Sequence, residues 1–159
     1  MSLEQKINNL ETDLHIMGTL VLDSLVGAVR ALEDKDTLKA SEVMDKDDEI
    51  DDAYMKIDQD WFELMATEQP VASDLRLSTS ILRASLHLER LGDLSVYLGK
   101  TTHEIHDLPI PESLHKIVVE MGDMVIDMAS SALESLKNRD AELALSTARK
   151  DELINSLYY

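Results

Sequence analysis

Residues 69–100 read QPVASDLRLSTSILRASLHLERLGDLSVYLGK, and their spacing decides the fold. Pro70 sets φ for a first helical position, and Asp74 puts negative charge in the first turn, where the helix dipole favours it. No breaker follows until Gly92, so the stretch predicts one long helix over residues 70–104. Within it, Glu89 and Asp93 stand four residues apart, which places two carboxylates on one helix face, one turn from each other. Carboxylates so placed can share a cation. They sit among Leu82, Leu86, Leu88, Leu91 and Leu94. Gly92 beside them costs about 1 kcal/mol in a helix interior and points to close contact with another helix.

Outward from that stretch the pattern stays helical. A periodic stripe of Leu3, Ile7, Leu10, Leu14, Met17, Val21, Ala28 and Leu32 predicts a first helix over residues 3–33. Asp36 or Thr37 can cap a second, over residues 37–66, in which Val43, Ile50, Ile57 and Leu64 recur every seven residues. Residues 105–112 hold two of the three prolines and form the one convincing linker. A fourth helix over residues 113–138 and a fifth starting near Asp140 complete the chain. Short connections imply antiparallel neighbours, so the first three helices predict an up-down-up bundle about 45 Å long with small crossing angles.

Composition agrees. The chain has 159 residues, 44% of them hydrophobic, with 5 glycines, 3 prolines and few aromatics, a balance that suits helices over strands. A net charge of −17 argues against nucleic-acid binding, which needs lysine and arginine in excess. There is no cysteine, so disulfides and thiolate metal sites are excluded. The N-terminus lacks a signal-peptide apolar region, and no apolar run approaches the ~18 to 20 residues of a membrane span, so the chain is expected in the cytoplasm.

The chain also repeats itself. A shift of 104 residues aligns residues 17–55 with 121–159, and twelve of those 39 positions are identical, among them Gly18/Gly122, Asp23/Asp127, Asp36/Asp140, Lys46/Lys150, Asp47/Asp151 and Ile50/Ile154. Chance would give about two or three. The fold class expected is therefore all-α, as tandem three-helix bundles. Residues 1–104 form the first, 105–112 the linker and 113–159 an incomplete second. By the repeat, the fifth helix should run about a dozen residues past Tyr159 and a sixth should follow. Either the chain is a fragment or something else covers the apolar faces of its last two helices.

Folding the second and third helices back about residue 69 brings residue 47 to the level of about 91, and residue 51 to about 87. Asp47 and Asp51, themselves four apart, then lie level with Glu89 and Asp93. Asp48 is adjacent, and Asp23 reaches the same level from the first helix. Two carboxylate pairs on neighbouring helices would make an oxygen-rich site for a divalent or trivalent cation, iron, magnesium, manganese or zinc. The alternative for the run from Asp45 to Asp52 is a plain solvated face. Arg76, Arg83 and Arg90 recur every seven residues. They either pair with acidic neighbours on the first two helices or present a basic edge to an anion or acidic partner. The five histidines show no ligand spacing, and no nucleophile or phosphate-loop motif is present. Tyr54, Trp61, Phe62 and Tyr97 read as core or interface residues.

The two-copy plan, QPVASDLR at the start of the third helix, the run Leu88-Glu89-Arg90-Leu91-Gly92-Asp93, and DDEID with Tyr54 behind it closely resemble the PhoU family of phosphate-transport regulatory proteins. The resemblance covers essentially the whole chain. It implies three-helix bundles whose carboxylate motifs hold metal ions, often in multinuclear clusters. It also implies a cytoplasmic, non-enzymatic negative regulator linking a phosphate ABC transporter to a membrane sensor histidine kinase and limiting phosphate uptake. Contact with the membrane is then only through those partners, and a homodimer is expected. Position by position, Glu89 and Asp93 match the family's metal motif, with Asp47 and Asp51 as partners. In the second copy Asn155 replaces Asp51, which weakens any site there. The competing reading is a ferritin-like di-metal carboxylate protein. That class needs Glu-x-x-His motifs on two facing helices, and the chain has only one such spacing, Glu112 to His115, outside the carboxylate-bearing helices.

Overall fold

The structure, a computed structural model, describes residues 1–158. Seven helices occupy them: α1 (Leu3–Asp34), α2 (Thr37–Asp45), α3 (Asp47–Glu68), α4 (Ala72–Ile105), α5 (Glu112–Asn138), α6 (Ala141–Arg149) and α7 (Asp151–Tyr158). Ser2 starts α1 through a capping box, its Oγ accepting from the Gln5 N–H at 3.2 Å while Gln5 Oε1 accepts from the Ser2 N–H at 2.9 Å. The stripe expected along α1 is the core: Ile7, Leu10, Leu14, Met17 and Val21 pack with Ile50, Ile57 and Leu64 of α3 and Ile81 and Leu88 of α4. Ion pairs from Lys6 to Glu63 and from Asp13 to Lys56 fix α1 and α3 antiparallel.

Three boundaries differ from expectation, one of them in the fifth helix, which is divided at Lys150. The second helix is not continuous: it breaks at Lys46, whose backbone (φ −92°, ψ −1°) leaves the helical ladder before α3 begins. Asp47, Asp48 and Glu49 then stand in a new first turn, where the dipole favours carboxylates. The third helix starts at Ala72 rather than Pro70. Gln69 and Ala72 both take positive φ (47° and 48°), so the chain turns on either side of the buried Pro70 before α4 extends.

The buried face of α4 is made of small residues as much as of apolar ones. Ser78, Ser85, Gly92 and Gly99, seven apart, line it with Ile81, Leu88, Ser95 and Thr102. The hydroxyls are satisfied by backbone carbonyls of their own helix, as in Ser85 to Leu82 at 2.8 Å and Thr102 to Leu98 at 3.0 Å. Small side chains let α1, α2 and α3 approach closely. A Cβ on Gly99 would lie 3.2 Å from the Ala40 carbonyl oxygen. Leu86 and Leu94 are left exposed. Of the aromatics, Tyr54 and Trp61 pack against the core, whereas Phe62 and Tyr97 are both 69% exposed.

The internal repeat is built into the backbone. Lys35 and Arg139 close α1 and α5 in the left-handed conformation with φ of 52° and 54°. Asp36 and Asp140, one residue on, accept N-cap hydrogen bonds at the starts of α2 and α6. The α6–α7 break falls at Lys150, the counterpart of Lys46. Helices α1 and α5 also meet about matched positions. A Cβ on Gly18 would come within 2.8 Å of Leu133, and one on Gly122 within 2.8 Å of Val29, and Val29 and Leu133 are themselves repeat counterparts. Among the described helices only α1 is long and apolar enough to cross a membrane, and half of its most apolar window is buried, as a core helix requires.

Candidate metal centre

The break at Lys46 and the small face of α4 together position the acidic residues. A Cβ on Gly92 would lie 3.1 and 3.2 Å from Ile50 and 3.8 Å from Asp47 Oδ1, so α3 and α4 are in close contact at this level. That matches the level expected from the sequence to within a turn. Asp47 and Asp51 follow on α3, and Glu89 and Asp93 flank the contact on α4. Asp47 and Glu89 are half-buried; Asp51 and Asp93 are exposed.

The four carboxylates act on one another. Burial raises the Asp47 pKa above the ordinary aspartate range, and the charges of Asp51, Asp93 and Asp48 raise it further, against a lowering by Lys100. Glu89 is raised by burial, then by Asp93 and Asp51, lowered by Arg90 and raised by Asp47. None of the four accepts a hydrogen bond or forms an ion pair among the described residues. They make a field of like charge: no three acidic or histidine side chains among the described residues stand close enough to enclose one ion. The donor set is oxygen-only, which suits hard cations, and the mutual repulsion is what a bound cation would relieve.

The other candidate residues fall elsewhere or at the margin. Asp48 is exposed and contributes to the field on Asp47. Asp23 lines a separate groove of about 360 Å³ between α1 and the α2–α3 break, with Ser24, Lys39, Glu42, Lys46 and Glu49. Arg76, Arg83 and Arg90 are all exposed, and none of their guanidinium groups forms an ion pair or hydrogen bond among the described residues, so the pairing with α1 and its neighbours does not occur. Lys100 is the residue that reading the sequence misses. It follows Asp93 by seven residues on α4, and that spacing is the signal that could have found it.

Comparison with known proteins converges on one family. The PhoU domain matches residues 14–102 and 118–159. A Pseudomonas putida protein called phosphate-specific transport system accessory protein PhoU homolog is 32% identical over 153 residues, covering 96% of this chain and 60% of that one. A homologue of the same name from Streptococcus pneumoniae is 32% identical over 157 residues, covering 97% of this chain and 71% of its own. The crystal structure of PhoU from Pseudomonas aeruginosa superposes with a TM-score of 0.95 at 31% identity, over 99% of this chain and 75% of that one. The phosphate transport system regulatory protein PhoU from Streptococcus pneumoniae superposes with a TM-score of 0.91. The chain spans under two thirds of the length of its Pseudomonas relatives.

Proposed function

This chain belongs to the PhoU family, and from that premise we propose that it is a cytoplasmic, metal-binding regulatory adaptor of a phosphate transport system, not an enzyme. It restrains phosphate uptake and phosphate-responsive signalling by linking a phosphate ABC transporter to a sensor histidine kinase. The repeats over residues 1–104 and 113–159 are its units, and assembly into a homodimer belongs to the same reading. The observation that supports the metal site is the charge effect of neighbouring carboxylates on Asp47 and Glu89, with Asp51 and Asp93 beside them on α3 and α4 and no side-chain hydrogen bond or ion pair to any of the four among the described residues.

These four carboxylates would hold the cation, with Asp48 beside them, and magnesium, manganese, iron or zinc would supply positive charge to an otherwise self-repelling face. The exposed Asp51 and Asp93 are free to reorient toward it. The chain's own contribution is the close α3–α4 contact at Gly92, which keeps the two helices' carboxylates at one level. Elemental analysis tests the site: Glu89→Ala combined with Asp93→Ala should strip most of the metal from purified protein. Unchanged metal content in the double variant removes the site.

A further inference from the structure

We propose that the outward face of α4 docks an acidic amphipathic helix of a partner protein, one that carries Asp or Glu at seven-residue intervals beside an apolar stripe. Arg76, Arg83 and Arg90 lie opposite the buried line of Ser78, Ser85, Gly92 and Gly99, on the side of α4 that points away from the bundle. They span about 21 Å of helix. Between and beyond them Leu86, Leu94 and Tyr97 are 37%, 62% and 69% exposed. The strip is thus basic and apolar by turns, on a protein of net charge −17.

Among the described residues two arginines outside α4 are ion-paired, and Arg149 is not. Arg30 pairs with Glu33 and Asp123, and Arg139 with Glu11. The three of α4 have no such partner among the described residues, although carboxylates outnumber basic side chains two to one. Guanidinium groups are forks that hold carboxylates bidentately. A seven-residue repeat on a straight helix keeps register with a second helix packed at a small angle. The complementary occupant is therefore a helix with acids at the same period, and Leu86, Leu94 and Tyr97 supply apolar anchors for it. An anionic bilayer would confront the whole negative surface, whereas a helix meets only the strip and the Glu89 and Asp93 at its edge.

The inference rests on the adaptor reading for the existence of a partner, and not on the metal site. The probe is a fluorescent synthetic helix with Glu at every seventh position and Leu along the adjoining stripe, together with its Lys counterpart. Binding to the full chain is followed by anisotropy. We expect the Glu peptide to bind, the Lys peptide not to, and the combined variant R76Q/R83Q/R90Q to lose about tenfold or more in affinity. Far-ultraviolet circular dichroism should show that variant folded, because all three side chains are exposed. Arg83→Lys, which keeps the charge without the fork, should lose only part.

The proposal is overturned if the Glu peptide fails to bind, if the variant binds it equally, or if the Lys peptide binds as well. Competition by phosphatidylglycerol vesicles would give the strip to a membrane instead. Self-association that the triple variant abolishes would give it to a second copy of this chain. Loss of metal in the Glu89/Asp93 variant alongside absent peptide binding would leave the function standing and remove only this docking face.

Discussion

Ile50 is 2% exposed in the core between α1 and α4, while Ile154, its counterpart 104 residues on, is half-buried on α7. The same contrast runs through the pairs: Ala28 is fully buried and Ala132 exposed, Leu32 buried and Leu136 only partly so. The backbone devices of the two copies, the left-handed closures, the Asp N-caps and the lysine breaks, coincide. Caps and breaks are local, set by a few residues, and they reappear wherever those residues reappear. Burial is not local. In the first copy α4 covers both halves of the second helix, whereas among the described residues α6 and α7 touch only α5 and each other.

The charged pairs divide in the same way. The charge of Asp51 raises the Asp47 pKa, and no hydrogen bond joins the two side chains, while Asn155 Nδ2 donates to Asp151 Oδ2 at 3.0 Å. Lys46 and Asp23 line one groove without pairing, while Lys150 meets Asp127 at 2.6 Å. At these matched positions the first copy leaves Asp47 and Asp23 without a side-chain partner among the described residues, whereas the second gives Asp151 a hydrogen bond and Asp127 an ion pair.

The largest effect that could break this contrast is in the core. Ile50→Ala should lower the unfolding free energy by about 3 kcal/mol, because a fully enclosed site collapses poorly around the lost atoms. Ile154→Ala, at a half-covered site, should cost less than about 1 kcal/mol. Denaturant titration of both variants decides it, and equal losses would mean that the second copy is as tightly packed as the first.

Much of this was legible in the residues. The stripe of α1 and the heptad Val43, Ile50, Ile57 and Leu64 predict the core, because the side chains that must be buried are also the large apolar ones. The level of Asp47 against Glu89 and Asp93 follows from helix rise and an antiparallel fold alone. Two things were not legible. The buried face of α4 carries serine and glycine beside Ile81 and Leu88, and hydrophobic periodicity undervalues those small residues, so it does not tell the buried Leu88 from the exposed Leu86 and Leu94 around Glu89. The break at Lys46 depends on three acids beginning a new first turn, a preference of a few tenths of a kcal/mol each that a continuous heptad conceals. The isolation of Arg76, Arg83 and Arg90 likewise depends on which face of α4 lies inward.

A smaller effect sharpens the contrast between the acidic pairs. Asp47 holds its proton more tightly folded than unfolded, since burial and neighbouring carboxylates raise it. The protonated form therefore favours the fold. That contribution is complete below the ordinary aspartate value and is lost as pH rises through the raised folded value. Asp47→Asn fixes the uncharged state. In metal-free buffer it should melt higher than wild type at neutral pH, by the equivalent of about 0.5 kcal/mol, with the gain disappearing as pH falls below the aspartate range. Asp151→Asn should show no such gain, because its carboxylate already accepts from Asn155. A gain at both positions would erase the distinction between the copies.

The smallest effect concerns the lysine breaks. Lys150 and Asp127 are exposed enough (41% and 64% by side chain) that their pair is worth only a few tenths of a kcal/mol. That is still a measurable share of the stability of α6 and α7, which bury only Thr147 between them. Asp127→Asn should accordingly speed amide hydrogen exchange around the α6–α7 break by up to about twofold. The counterpart Asp23→Asn should leave exchange at the α2–α3 break unchanged, because Lys46 does not pair with it and α4 holds both helices by packing. If Asp23→Asn instead loosens α2 and α3, then Lys46 and Asp23 pair in solution, and the two copies differ in packing alone.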